Sequence, residues 1–243
     1  MKRESFQRPN RRYLRTYLIA LICVFVLNIS VFPHIWPHLR YILGSDSFSS
    51  VPSSQPSNKT LVPLEAHIMS KCPDAKDCLV NLVVPAMEKV VDQVDFSISY
   101  IGSISSDDTV QCMHGPDECL GDMLSLCAQQ LFPRDPKRSL GFTNCMIMQY
   151  PDIPKRDLVE ECALEHGISF DDINTCISDE GRGTGLLEAS VSRSKDAGVV
   201  KSCTVRLAEK IWCIRDGGQW KNCSQGHEPS DLADAVKSIA DKN

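Results

Sequence analysis

A surplus of positive charge is absent from this chain. Its 243 residues carry a net charge of −5 with a pI near 5.7, so the basic surface that a nucleic-acid partner requires is missing. The cysteines are not grouped in the repeated C-x-x-C knuckles of a zinc scaffold, and no internal repeat divides the sequence. Gly181-Arg-Gly-Thr-Gly185 shares only its glycines with a phosphate loop. The lysine and the preceding strand are lacking, so it reads as a flexible turn. The length suffices for one substantial core with appendages and not for two large domains.

Cysteine is what the chain has in excess. There are twelve: Cys23 lies in an apolar run, and the other eleven are spread from Cys72 to Cys223. That distribution favours disulfides in an oxidising compartment over metal binding. Eleven is odd, so at least one thiol is free, catalytic or paired to another molecule.

The amino terminus agrees with that compartment. Lys2, Arg3, Arg8, Arg11, Arg12 and Arg15 precede a mostly apolar stretch over 17–36, and roughly 20 such residues span a bilayer core. Basic residues ahead of the span place the amino terminus in the cytosol. Asn28, Ser30, Pro33 and His34 interrupt its second half, and a cleaved signal peptide is the rival reading. The long basic leader and the bulky Phe32 and Trp36 oppose cleavage. The expected organisation is a cytosolic tail over 1–15, a transmembrane signal anchor over 16–37 and a Ser/Pro-rich stalk over 44–60. A single domain over 61–243 follows, in the ER, Golgi or vacuolar (lysosome-like) lumen or outside the cell. Asn58-Lys59-Thr60 and Asn222-Cys223-Ser224 are glycosylation acceptors, the second in competition with a disulfide at Cys223.

Within the domain, residues 62–69 read as a strand running into Cys72. Leu79, Leu82, Val83, Ala86, Met87, Val90, Val91 and Val94 then recur at three- and four-residue steps, an amphipathic helix over 78–94 that Pro85 should kink. Residues 95–104 alternate as a second strand, which makes a βαβ unit with parallel strands. Residues 112–177 turn helical, with breaks at Pro133, Pro136, Pro151 and Pro154, and a further helix covers 182–194. Residues 204–207 and 210–214 form a hairpin. Ser230 caps a last helix lined by Leu232, Val236 and Ile239. Strand, helix, strand, a helical insertion over about 112–195, hairpin and helix is the layout of an α/β, thioredoxin-like fold.

A thiol between a strand and a helix meets the unpaired N–H groups and the positive end of the helix. Both favour the thiolate, the form that attacks a disulfide. Cys72, followed by Pro73, has that place. Lys71 and Lys76 support the thiolate while Asp74 and Asp77 oppose it, so helix-end activation is what remains. Cys78 lies six positions on. In continuous helix six steps rise about 9 Å, and a disulfide needs Cα atoms within about 7 Å. A Cys72–Cys78 bond, catalytic or merely a structural staple, therefore requires 73–77 to be a loop, with Asp77 capping the helix. If the helix begins at Pro73, Ala75 takes the usual resolving position and Cys72 must find another partner.

Cys112-Met-His-Gly-Pro-Asp-Glu-Cys119, with Cys127 downstream, resembles the signature C-Q-H-G-x-x-E-C-x-x-N-x-x-x-x-C of the gamma-interferon-inducible lysosomal thiol reductase family. Cys112, His114, Gly115, Glu118, Cys119 and Cys127 match, while Met113 and Asp122 depart. Similarity continues through Cys145, Cys162, Cys176 and the stretch 182–193, over roughly residues 64 to 224. The resemblance implies a thioredoxin-like domain with a helical, disulfide-stapled insert that reduces protein disulfides in an acidic or secretory lumen. The family's active site is C-x-x-C, whereas here the pair is Cys72-x5-Cys78. The proline that opens the strand beside the family's active site is matched by Cys203, in Ser202-Cys203-Thr204. Cys72 can accordingly exchange with Cys203 as well as, or instead of, Cys78.

The leading expectation is a membrane-anchored thiol–disulfide oxidoreductase acting on disulfide-containing proteins. Cys72 attacks, Cys78 or Cys203 resolves, no cofactor is required, and a small thiol or reductase recycles the site. Cys112, Cys119, Cys127, Cys145, Cys162, Cys176, Cys213 and Cys223 brace the fold through disulfides whose connectivity is unreadable. A second reading keeps the scaffold as a catalytically degenerate, lumenal binding or structural module. A third makes Cys72, Cys78, Cys203 and His114 ligands for zinc or copper(I). His114 otherwise reads as a local hydrogen-bonding residue and Glu118 as support for a helix start.

Overall fold

The computed structural model describes residues 60–107 and 109–242. The expected cytosolic tail, signal anchor and nearly all of the stalk, with Asn58, lie outside these residues. Among the described residues no helix is long and apolar enough to cross a membrane.

Strand β1, Val62–Ile68, runs parallel to β2, Val94–Tyr100, in a register from Val62 opposite Val94 to Ile68 opposite Tyr100. On its other edge β1 pairs antiparallel with β5, Thr204–Leu207, which pairs with β6, Lys210–Asp216, and β6 with β7, Gln219–Lys221. The order β2-β1-β5-β6-β7 makes a mixed five-stranded sheet. Two short strands, β3 (Ser103–Ile104) and β4 (Val110–Gln111), form a separate ribbon. Leu64, Ala66 and Ile68 on one face of β1 are fully buried. His67 points to the other face, where its Nδ1 lies 2.9 Å from Ser194 Oγ.

The expected βαβ unit is therefore present, but its helix starts earlier than the apolar periodicity suggests. Helix α1 (Pro73–Cys78), a π-helical turn (Leu79–Val83) and α2 (Val84–Val90) run on without a break in helical backbone. Pro85 has no N–H to offer the preceding turn, and the wider π turn directly ahead of it takes up the defect.

Five helices make up the insertion. They are α3 (Pro116–Leu131), α4 (Pro136–Met148), α5 (Arg156–Glu165), α6 (Phe170–Ser178) and α7 (Arg182–Asp196). Pro116 and Pro136 open their helices, where a missing N–H costs nothing. Helix α3 packs on α4, α6 and α7, and α7 lies on β2. The glycine-rich stretch read as a flexible turn is the start of α7. Gly181, at φ 76, is its N-cap, and Gly183 rides so close to the Ile177 backbone that a Cβ there would come within 3.1 Å of its carbonyl oxygen. The last helix, α8 (Pro229–Ala240), packs on α2 and buries Leu232 and Val236. Its cap is Glu228, in a reciprocal box with Asp231, and not Ser230. Pro229 at the first helical position requires the cap to precede it.

Five disulfides staple this frame: Cys78–Cys203, Cys112–Cys119, Cys127–Cys176, Cys145–Cys162 and Cys213–Cys223. Three lie within the insertion, one crosses the β6–β7 end of the sheet, and one joins α1 to the residue before β5. All eight cysteines assigned to bracing are bonded. Asn222 is exposed beside the bonded Cys223.

Candidate active site

Cys72 is the residue that leaves β1 and caps the long helix. Its backbone is extended (φ −97, ψ 128), and its carbonyl accepts the first helical bond, from the Lys76 N–H at 3.3 Å. Of the two arrangements open from the sequence, the helix beginning at Pro73 is the one formed. Residues 73–77 are not a loop, and Asp77 caps nothing. Ala75 stands three residues after Cys72 and is completely buried.

Among the described residues Cys72 is the unbonded cysteine, half-buried, with its thiol directed at the Ser202 carbonyl oxygen 3.8 Å away. Cys78 and Cys203 are both at 0% exposure and bonded to each other with Cα atoms 6.2 Å apart. The structure thus gathers the three cysteines singled out by sequence, yet joins the two candidate resolving thiols together. Neither a Cys72–Cys78 nor a Cys72–Cys203 bond is formed. For Cys78 the cause is the helix, which carries it about 9 Å along the axis from Cys72. The Ser202–Cys203 peptide bond is cis.

This pairing also removes two thiolates from the imagined metal set of Cys72, Cys78, Cys203 and His114. Cys145, Glu165 and His166 bring ligand atoms within 4.8 Å of one another, but Cys145 is bonded to Cys162 and has no thiolate to give.

The approach to Cys72 is held from the insertion. The Ser70 N–H donates to Asp122 Oδ1 at 3.2 Å, and the Ser70 hydroxyl to the Glu118 carbonyl. The Lys71 N–H donates to Glu118 Oε2 at 3.2 Å, while Lys71 Nζ reaches the carbonyls of Pro151 and Ile153. The Met69 N–H donates to Ser202 Oγ at 2.8 Å, and the Cys72 N–H to the Met69 carbonyl. Every backbone N–H from Met69 to Cys72 therefore has a partner, which fixes the position of the thiol. Glu118 does more than start a helix. Fully buried, it also accepts from the His114 N–H and lies 2.5 Å from His114 Nδ1. Gly121 lets α3 come this close, since a Cβ there would fall 2.9 Å from Ser70 Oγ. Sequence reading missed Ser70, Gly121 and the role of Asp122. The one available signal was a polar face, Glu118 and Asp122 at helical spacing, inside a segment that is otherwise core.

Asp122 carries a pH consequence. Burial pushes its carboxyl well above the usual range, and the neighbouring Glu118 pushes the same way, against the opposing pull of the bonds from Ser70. A carboxyl raised on folding gives its full stability below the unfolded value of about 4 and loses it as pH rises through the folded value. Asparagine keeps the acceptor and never ionises. Asp122→Asn is therefore expected to gain stability over the parent as pH climbs from about 4 to 7. Urea midpoints at both ends of that window test this, and parallel curves for the two proteins would contradict it.

The other side of α1 is held by the hairpin. Asp74 accepts from the N–H groups of Gly217 and Gly218 at 2.8 and 2.9 Å, and Arg215 pairs with Asp77 at 2.9 Å and faces Asp74 at 3.8 Å. The two acidic residues expected to oppose the thiolate are thus spoken for.

Residues 63–166 match the family model described as gamma interferon inducible lysosomal thiol reductase. The resemblance carried by Cys112 through Cys127 is borne out over that stretch. GILT-like protein 1 of Drosophila melanogaster is 30% identical over 170 residues, covering 63% of this chain and 63% of that protein. The chain thus spans less than two thirds of that relative's length. Among solved structures, a protein of Nitrosomonas europaea provisionally assigned as a protein disulfide isomerase superposes with a TM-score of 0.51 at 8% identity, over 75% of this chain and 98% of that one. DsbA of Proteus mirabilis in complex with a peptide superposes at 0.49 and 12% identity, over 74% and 87% of the two chains. The former likeness shows the fold: the expected α/β, thioredoxin-like arrangement, with a mixed sheet and helices.

Proposed function

We propose that this chain, matched over residues 63–166 to the gamma interferon inducible lysosomal thiol reductase family, is a thiol–disulfide oxidoreductase that reduces protein disulfides through Cys72. The observation that carries the reading is that, among the described residues, one unbonded thiol stands at a strand-to-helix junction beside ten cysteines bonded in five pairs. The helix start supplies unpaired N–H groups and the positive end of its dipole to that sulfur.

In the first step the Cys72 thiolate attacks one sulfur of a substrate disulfide. A Cys72–substrate disulfide forms and the other substrate sulfur leaves as a thiolate. In the second step another thiolate attacks Cys72 Sγ and releases the second substrate thiol, so two thiols in all are oxidised to one disulfide. Ala75 cannot serve, and while Cys78 and Cys203 are joined the second thiol is a small molecule or a partner reductase. Once that buried bond is reduced, Cys203 is the nearer resolving thiol, because it adjoins the Ser202 carbonyl that Cys72 touches. Cysteine usage and the basic-then-apolar amino terminus support a membrane-anchored protein with this domain in a secretory or vacuolar lumen.

Ala75 in the resolving place favours a second reading, a stapled lumenal module without turnover. Alkylation with peptide mapping separates the two. Cys72 is expected to react with iodoacetamide without reductant and to form a mixed disulfide with a model disulfide substrate, and Cys72→Ser to reduce turnover to background. A Cys72 that alkylates but forms no mixed disulfide would leave the module as the account.

A further inference from the structure

Beside Cys72 the core is interrupted. Met69, Ile101 and Val199 form a small apolar cluster of their own, separate from the main core, with the half-buried Cys72 packed at its edge. A cleft of about 490 Å³ opens above that cluster, and Met69, Ile101 and Val199 contribute to its walls. Its rim carries Met113 and Val200, each 74% exposed. Among the described residues only Leu164 is a more exposed large apolar side chain. Two of the three most exposed large apolar side chains among the described residues thus border one cleft, whose floor packs against Cys72. Single exposed apolar residues need no explanation, but a concentration around a concave site does.

We infer that this cleft is a specificity subsite, which takes an aliphatic or aromatic side chain flanking the half-cystine of a protein or peptide disulfide. The inference rests on the thiol chemistry proposed above and deepens it. Attack fixes the substrate sulfur at Cys72 Sγ. The Cα atoms of the residues on either side of that half-cystine lie about 3.8 Å from its own, within reach of a cleft whose floor packs against Cys72. Its floor of Met69, Ile101 and Val199 is apolar, while Ser103, Gln111 and Ser194 supply the polar part of the lining. Lys195 stands in the lining as its one charged group, at the end of α7. The volume falls within the range of about 300 to 1,000 Å³ typical of small-ligand pockets, ample for phenylalanine with its adjoining backbone.

The test uses short peptides with one cysteine held as a mixed disulfide to 5-thio-2-nitrobenzoate. Phenylalanine, leucine, serine or aspartate is placed on either side of that cysteine. Cys72 attacks the peptide sulfur and the aryl thiolate leaves, which gives a second-order rate constant by absorbance. The phenylalanine and leucine peptides are expected to react roughly tenfold or more faster than the serine peptide, the scale of an apolar contact in a specificity pocket. Val200→Ser and Met113→Ser, both at exposed positions, should bring the phenylalanine-to-serine ratio toward one. Equal rates across the peptides, or a ratio untouched in both variants, overturns the subsite alone. Failure of every peptide to react at Cys72 overturns the thiol reading and the subsite with it.

Discussion

Ala75→Cys is expected to turn a single-thiol site into a two-thiol one. Residue 75 lies three positions past Cys72 in a helix that begins at Pro73, and positions three apart on a helix face one another at about 5 to 6 Å between Cβ atoms. The matching Cα separation, about 5 Å from the helical rise and radius, lies within the disulfide range of about 4.4 to 6.8 Å, and the Cβ atoms have about 1 to 2 Å to close. Oxidised Ala75→Cys should therefore lose the iodoacetamide reactivity of Cys72 and regain it on mild reduction. A substrate joined to Cys72 would then be released by the introduced thiol from within the molecule. Linked groups act at effective concentrations of about millimolar or above, so turnover at sub-millimolar small thiol should rise at least about tenfold. The cost is an added sulfur at a fully buried position, about 1 to 3 kcal/mol of overpacking. A Cys72 that stays freely alkylatable in the oxidised variant would show that the new thiol points into the core, and the proposed geometry of attack would fail with it.

Removal of Cys127–Cys176 is expected to be the most damaging loss within the insertion. The two sulfurs tie α3 to α6 across a sequence separation of 49, and both residues are essentially unexposed. Chain-entropy reasoning assigns a loop of that size about 4 kcal/mol and a loop the size of Cys112–Cys119 about 2.5 kcal/mol. The double variants with alanine at both positions of each pair should show urea midpoints in that order. The Cys127/Cys176 variant should also react more slowly at Cys72, because α3 carries Glu118, Gly121 and Asp122 to the approach of the thiol. Equal losses for the two pairs, with unchanged Cys72 reactivity, would mean that α3 is held by packing alone.

Much of the frame is legible in the residues themselves. The three- and four-residue spacing from Leu79 to Val90 buries one helical face, which is what periodicity records, and the β-compatible runs before Cys72 and from Thr204 to Ile214 become the strands expected of them. The start of α1 is harder to read, because a proline after Cys72 suits both a loop and a first helical turn. Only the contacts of Asp74 and Asp77 with the distant hairpin decide between them. Glu228 displaced Ser230 as the last cap for a similar reason: the serine has the right side chain, but Pro229 fixes where the helix begins. The carboxylates behind Cys72 are invisible to local reading, since the groups they bind stand 47 and 52 residues away. Disulfide partners share that property. The cysteine count predicted a free thiol, and among the described residues the fold alone shows which one it is.

Arg215 gives the local charge tally around Cys72 a different meaning. Counted along the chain, Lys71, Asp74, Lys76 and Asp77 cancel. In space, Asp74 and Asp77 face a guanidinium from β6, which also lies over the Trp220 ring at 5.3 Å, and Lys71 is bound to carbonyls near Pro151. The partners of these charged side chains thus lie some 80 and 140 positions downstream. A change at position 215 would leave Asp77 without its guanidinium, one residue before the buried Cys78, while the Cys72 segment itself stayed the same.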